Sequence, residues 1–534
     1  MQLNEESPRR VLFVGLDAAD RELIERWCGE GFLKNIAALR ARGAWASLHT
    51  TADVLHVSAW PCIFTGAQPD WHGLYHAYVM QPGQQAPVRP RPENCPVPFL
   101  WKTLDERGIR SIVIDAFLTC PLDHFSGVQI VDWGSWTHFA TTTIAPESVK
   151  RSIQQQFGDY PAEDHSQVGM TPLPDPAGFR QRLLTAVKQK TRVVRWLMAN
   201  EAWDLLLVVF GECHPAGHYF WHFHDRSYVA HPEQCEEAMR TALRDVYIAL
   251  DEAIGELIAQ AGSDTLVFVV SGDGMGPNYS GSHILNDLLT RMRLMNEPAP
   301  EVSGTANARN ADRPVQRGLL SRLRGMVPKE FRAAISRHLL PRWVNERLSL
   351  HWKTADIDWA RTRAFLIENA NEGYVRINLK GREPQGIVEQ GGEYKRLCAM
   401  LADAARGLSN PANGRPAACA VHETDEIFAG PCRPTMPDVI INWDPEALVT
   451  TELATQSYGV ARAAQPGFAL SPYYSGNHRP NAFMVAAGPA IRSGVVLENA
   501  SVLDLAPTIL AHFGMAPTGH MRGRVLALSD PADG

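Results

Sequence analysis

Four short, unbroken apolar runs constrain this chain more than anything else in it. They are "RRVLFVGLDAAD" near the N-terminus, "SIVIDAF" (111–117), "DLLLVVFG" (204–211) and "TLVFVVSGD" (265–273). Continuous rather than alternating hydrophobicity means that both faces of a strand are buried, the pattern of a parallel sheet covered by helices. Segments with helical apolar spacing alternate with these runs, over 177–200 and 236–261. Another carries Leu23, Ile24, Trp27, Phe32, Leu33, Ile36 and Leu39, is broken near Gly29 and Gly31, and ends at Gly43. Strand–helix–strand–helix order predicts an α/β fold with a central, mostly parallel sheet and helices on both faces. Such sheets gather their chemistry at the carboxyl ends of the strands, where Asp17, Glu212 and Asp273 fall.

Two stretches break the alternation. Residues 296–318 are rich in Pro, Ala, Asn and Arg and lack periodicity, so they read as a flexible linker. From there to about 352 the chain is Arg-rich, with Leu, Phe and Trp at helical intervals. It reads as a solvated helical insertion, with a surface-binding amphipathic element as the alternative. The expected organisation is therefore an α/β core from 1–295 and 361–534, interrupted by an insertion at 296–360. After it, "AFLIENANEGYVRINLKGREPQG" predicts two strands joined by a polar turn, followed by a helix over 391–407. "PDVIINW" (437–443), "AFMVAAG" (482–488) and a helix near 501–513 are expected to return the chain to the main sheet.

Composition excludes several classes. A 534-residue chain with 45% hydrophobic and 20% charged residues is an ordinary globular composition. A net charge of -7 gives no general pull toward nucleic acid or anionic membrane. No run approaches the roughly 18 apolar residues of a spanning helix. "MQLNEESPRR" leads into a strand without a secretory pattern. Nine scattered cysteines with no CxxC pair read as reduced, so the expected compartment is cytoplasmic.

Imidazoles and carboxylates at the strand ends carry the chemistry. His214 and His218, in "ECHPAGHYFWHFHD", are four residues apart, and on a helix that spacing plants two ligands on one face. Pro215 suits the first turn of that helix. His222 and His224, in the same run, read as ordinary half-buried histidines. Asp17 either ligates a metal or caps the next helix, and no GxGxxG follows it, which disfavours a dinucleotide site. Asp273 sits between glycines in "SGDGMG", and His478 lies in "SGNHRP". His72 in "PDWHG" reads as a structural loop histidine. Glu212 either orients an imidazole or caps a strand end.

Together these stretches resemble the alkaline phosphatase superfamily, in particular its type I phosphodiesterase/nucleotide pyrophosphatase and phosphohydrolase/phosphomutase-like branch. "FVGLDAAD", "SAWPCIFTGAQPDWHG", "HPAGHYFW", "SGDGMG" and "SGNHRPNAFMVAAGPAI" carry the resemblance in that order. It implies an alkaline-phosphatase-like sandwich, two adjacent zinc ions, and hydrolysis of small-molecule phosphoesters or related esters. Fe or Mn are the alternative metals. The resemblance also implies a Thr or Ser nucleophile ten residues before Gly66, but that position is His56. An Asp expected at 214 is histidine, and an Asp-His pair expected at 272 and 273 is Gly-Asp. Asp17, His218 and His478 match unchanged.

The departures imply different chemistry. Three neutral imidazoles, His214, His218 and His478, would form one site, with Asp17, His56 and Asp273 forming a second, more anionic one. Metal-bound hydroxide is then the expected nucleophile, with His56 as ligand or general base. Nitrogen attack by His56 ranks behind it. Ser58 is the nearest hydroxyl, and on an extended strand it would share the face of His56. Its alternative role is a helix cap. Two competing functions are a non-hydrolytic, metal-binding regulatory protein and other metal chemistry at a three-histidine site.

Overall fold

The computed structural model describes residues 9–134, 142–162, 173, 175–296, 357–369, 371–463, 474–489 and 491–528. Most of the 296–360 insertion, with its expected linker and helices, lies outside the described residues. In chain order the strands are β1 (Arg10–Leu16), β2 (Ala44–Ser47), β3 (Ser111–Ile114), β4 (Val128–Val131), β5 (Thr143–Ala145), β6 (Leu205–Phe210) and β7 (Thr265–Ser271). There follow β8 (Gly274–Pro277), β9 (Ala364–Ile367), β10 (Gly373–Ile377), β11 (Ala418–Glu423) and β12 (Val439–Trp443). The last are β13 (Glu452–Thr455), β14 (Gly459–Arg462), β15 (Gly476–Arg479), β16 (Phe483–Ala487) and β17 (Val495–Val496).

Nine of these build the central sheet, in the order β17-β2-β16-β7-β1-β6-β3-β4-β5. The four apolar runs of the sequence form its middle, where β7, β1, β6 and β3 pair in parallel. Side-chain alternation explains why the runs are continuous. In β1, Leu12, Val14 and Leu16 enter the core on one face, packed with the helices Pro176–Asn200, Cys213–His224 and Ala242–Ala261. Val11 and Phe13 enter the core on the other face, with the helices Ala59–Thr65 and Leu505–His512. Each such buried side chain contributes on the order of 1.5–3 kcal/mol, so an interior strand must be apolar at every position. The expected α/β sandwich is the observed one.

One sequence expectation needs correction. "PDVIINW" forms β12, which does not return to the central sheet. It joins a separate antiparallel sheet, β11-β12-β10-β9, with its own apolar clusters around Leu285, Val375 and Ile441 and around Tyr374 and Ile440. A short apolar run buried on both faces looks the same in either sheet, so only pairing partners distinguish the two. "AFMVAAG" does reach the central sheet, as β16, but it runs antiparallel to both β7 and β2. All nine cysteines are free, as their scatter predicts. Among the described residues, no helix is long and apolar enough to cross a membrane.

Candidate metal centre

The carboxyl tips of β1 and β7 deliver Asp17 and Asp273, as the topology requires. Helix Cys213–His224 starts three residues beyond β6 and carries His214 and His218 on one face. The sequence expected His478 in a loop, but it lies within β15, which pairs antiparallel with β8 and sets His478 opposite Met275. That pairing places the ring beside Asp273. Close approach of the helix makes the arrangement possible. A Cβ on Gly476 would lie 2.2 Å from the Gly217 carbonyl oxygen, so only glycine lets β15 run this near the helix.

The three imidazoles meet. His214 Nε2 lies 2.8 Å from His218 Nε2 and 3.1 Å from His478 Nε2. Among the described residues, these are the only three side chains of metal-binding type whose ligand atoms all fall within 4.8 Å of one another. Each ring is held from behind, at Nδ1, by an oxygen. Asp17 Oδ2 stands 3.0 Å from His214 Nδ1, the Gly476 carbonyl 2.7 Å from His218 Nδ1, and Asp273 Oδ2 2.6 Å from His478 Nδ1. At His218 and His478 an oxygen that accepts at Nδ1 keeps the proton on that nitrogen and turns the Nε2 lone pair inward. Two inward lone pairs, on His218 and His478, meet the Nε2 of His214, so this donor set fits a divalent metal.

Electrostatics agree. Burial, with the neighbouring imidazoles adding to it, holds His218 and His478 well below the usual imidazole range, in the neutral form that ligates. Burial, with Asp17 adding to it, pushes Asp273 well up, a direction that a nearby cation opposes. Tyr474 stacks on the His218 ring at 4.2 Å, closing that side of the centre.

The two carboxylates thus face the imidazoles from behind. The second oxygen of Asp17, Oδ1, accepts from Trp60 Nε1 at 2.6 Å. His56 stands beside the trio and not within it, its ring centroid 4.8 Å from that of His478. With His478 it lines a cavity of about 900 Å³, whereas His214 and His218 are buried behind.

Ser58 is not brought to the centre. Residues His56–Ser58 form a 3-10 turn leading into helix Ala59–Thr65, so the same-face argument for a strand lapses. Its hydroxyl is fully buried, donates to the Leu55 carbonyl at 2.6 Å and lies 2.8 Å from Thr51 Oγ1. Nor does its side chain cap the helix. Ser58→Ala is expected to change ester turnover by less than about two-fold while costing roughly 1 kcal/mol in urea unfolding, the net value of a neutral hydrogen bond.

The remaining candidates sort cleanly. Glu212 faces away from the imidazoles, toward the Tyr160 hydroxyl at 2.8 Å and Lys190 at 3.9 Å. His222 is occupied by Ser475, and His224 by Arg26. His72 accepts from the Leu74 amide, the loop role its motif predicts. One functional residue escaped the sequence entirely. Glu372, immediately before β10, places Oε2 2.9 Å from His56 Nδ1, and its Oε1 accepts from the His56 amide at 3.1 Å. Its only sequence signal is an acid closing the polar turn "ENANEG".

Three converging imidazoles at the strand tips of a doubly covered sheet form a site that could hold a metal ion. A family model described as "Type I phosphodiesterase / nucleotide pyrophosphatase" matches residues 11–469, and the chain belongs to that family. Its enzymes are divalent-metal-dependent phosphohydrolases, and so is this chain. No curated protein matches it. Solved structures similar to it include murine ectonucleotide pyrophosphatase / phosphodiesterase 5, at 12% identity and TM-score 0.47, covering 96% of this chain and 97% of that one. Phosphonoacetate hydrolase from Sinorhizobium meliloti 1021 in complex with phosphonoformate is similar at 12% identity and TM-score 0.46, covering 93% and 94%.

Proposed function

We propose that this chain hydrolyses small phosphoesters, phosphodiesters or phosphomonoesters, at a centre whose ligands are His214, His218 and His478, with zinc as the ion. The inward convergence of three Nε2 atoms, each ring fixed from behind by an oxygen, carries this reading. A divalent ion on three neutral imidazoles keeps its full charge, polarises a phosphoryl oxygen and acidifies bound water to a pKa of roughly 7.

The chain's own residues supply the rest. Asp273 and the Gly476 carbonyl set the tautomer and orientation of His478 and His218, and Asp17 stands against the His214 ring. His56, with Nδ1 held by Glu372, has Nε2 left to take a proton from an attacking water or return one to the leaving oxygen. Both tasks fall to it because the Ser58 hydroxyl is turned away, toward the Leu55 carbonyl. Substrate reaches the centre through the cavity that His56 and His478 line.

Metal analysis of the purified protein and assays with p-nitrophenyl phosphate and bis-p-nitrophenyl phosphate test the proposal. Bound zinc, with turnover lost on chelation and regained on adding zinc back, is expected. Iron in place of zinc would indicate other chemistry at the three-histidine site, and absence of any bound metal would indicate a non-hydrolytic role.

A further inference from the structure

We infer that this chain takes a single ion where two are implied by the resemblance, and that a His56–Glu372 pair replaces the second set of ligands. The inference rests on the three-imidazole reading above. Four observations carry it. Of the two carboxylates that would serve a second ion, Asp273 holds His478, and Asp17 accepts from Trp60 through Oδ1 while its Oδ2 faces the His214 ring. Position 272, expected to offer a carboxylate, is a glycine against which the next helix closes. A Cβ there would lie 2.9 Å from the Ala59 Cβ. Among the described residues, no second set of three ligand atoms converges. Finally, His56 at the expected nucleophile position is tied by Nδ1 and by its own amide to a buried carboxylate.

Glu372 is well built for that purpose. It is 5% exposed, and Asn369 Nδ2 donates to its Oε2 at 2.6 Å. The carbonyl of neighbouring Asn371 accepts from the hydroxyls of Ser280 and Ser282, anchoring the turn to the segment just after β8. Burial alone would raise the Glu372 carboxyl, but the His56 charge and the hydrogen bonds from His56 and Asn369 outweigh it and leave it lowered. The separate antiparallel sheet therefore supplies a positioning residue to a centre otherwise built from the main sheet. Glu372 fixes the His56 ring through Nδ1 and so directs Nε2 into the cavity.

The test uses the full chain, stripped by chelation and titrated with zinc, with bound metal counted by mass spectrometry. One equivalent is expected in the parent protein, one in Glu372→Gln and none in His478→Ala. In Glu372→Gln, kcat is expected to fall about 10–100-fold, as when an orienting partner is lost, with KM little changed. Glu372→Asp is expected to recover part of that loss. Two equivalents in the parent protein, or loss of zinc in Glu372→Gln, would overturn the single-ion inference while leaving the three-imidazole reading standing. An unchanged kcat in Glu372→Gln would overturn the role of the pair. Zero equivalents in the parent protein would sink the metal reading and this inference together.

Discussion

In His214→Ala, bound zinc falls to background and phosphoester turnover falls to the limit of detection. His214 is the hub of the centre, because its Nε2 is the one in short contact with both other rings. It also packs against Asp17, which is buried at the tip of β1 with one oxygen facing the ring and the other facing Trp60. Removing the ring thus leaves a buried carboxylate short of a partner. Leaving a buried carboxylate oxygen without its neighbour costs on the order of 1–3 kcal/mol, so urea unfolding of the variant should show a loss of that size. His214→Asp is the sharper experiment, since it restores the residue type the resemblance expects there. It should nonetheless fail to bind zinc, because the new carboxylate would face Asp17 at the distance now occupied by a favourable contact. His222→Ala, one turn beyond His218 on the same helix and hydrogen-bonded to Ser475, serves as the control and should keep both zinc and turnover. Zinc retained at one equivalent in His214→Ala would remove this residue from the centre.

Much of this arrangement is legible in the sequence because parallel strands must be apolar throughout and must end where their chemistry begins. Asp17, Asp273, His214 and His218 follow from that rule and from helical periodicity, with no tertiary information. What spacing leaves open is which nitrogen of an imidazole faces inward. A four-residue interval says that two rings share a face, but only the oxygen at Nδ1 decides that Nε2 does the binding. For that reason Asp17 and Asp273 look like ligands in the sequence, whereas in the structure an oxygen of each faces the Nδ1 side of His214 and His478. Glu372 was hidden for a different reason. It lies 316 residues from His56, on a short sheet that the sequence merges with the main one, and an acid in a polar turn is common enough to carry no signal. Ser58 illustrates the opposite failure, where a plausible hydroxyl depended on an extended backbone. With Pro61 near the start of the helix and bulky apolar residues on every side, the segment instead coils from His56 onward.

Lys190→Met should destabilise the fold by about 3–5 kcal/mol, the cost of leaving buried carboxylates without their cation. Lys190 is fully buried between Asp115, at 2.8 Å, and Glu212, at 3.9 Å. Its Nζ also donates to the carbonyl of Val209, near the end of β6. The two acids lie just past the ends of β3 and β6, and Asp115 accepts from the amides of Trp133 and Gly134 beyond β4. One ammonium therefore ties together the tips of three adjacent strands, directly behind the helix that carries His214 and His218. Urea unfolding of the zinc-free protein isolates this effect from metal binding. In the triple variant Lys190→Met, Asp115→Asn, Glu212→Gln, much of the lost stability should return, since no charge remains buried and unpaired. A loss below about 1 kcal/mol in Lys190→Met would mean that water or rearrangement relieves the acids, and that the strand tips are positioned by packing alone.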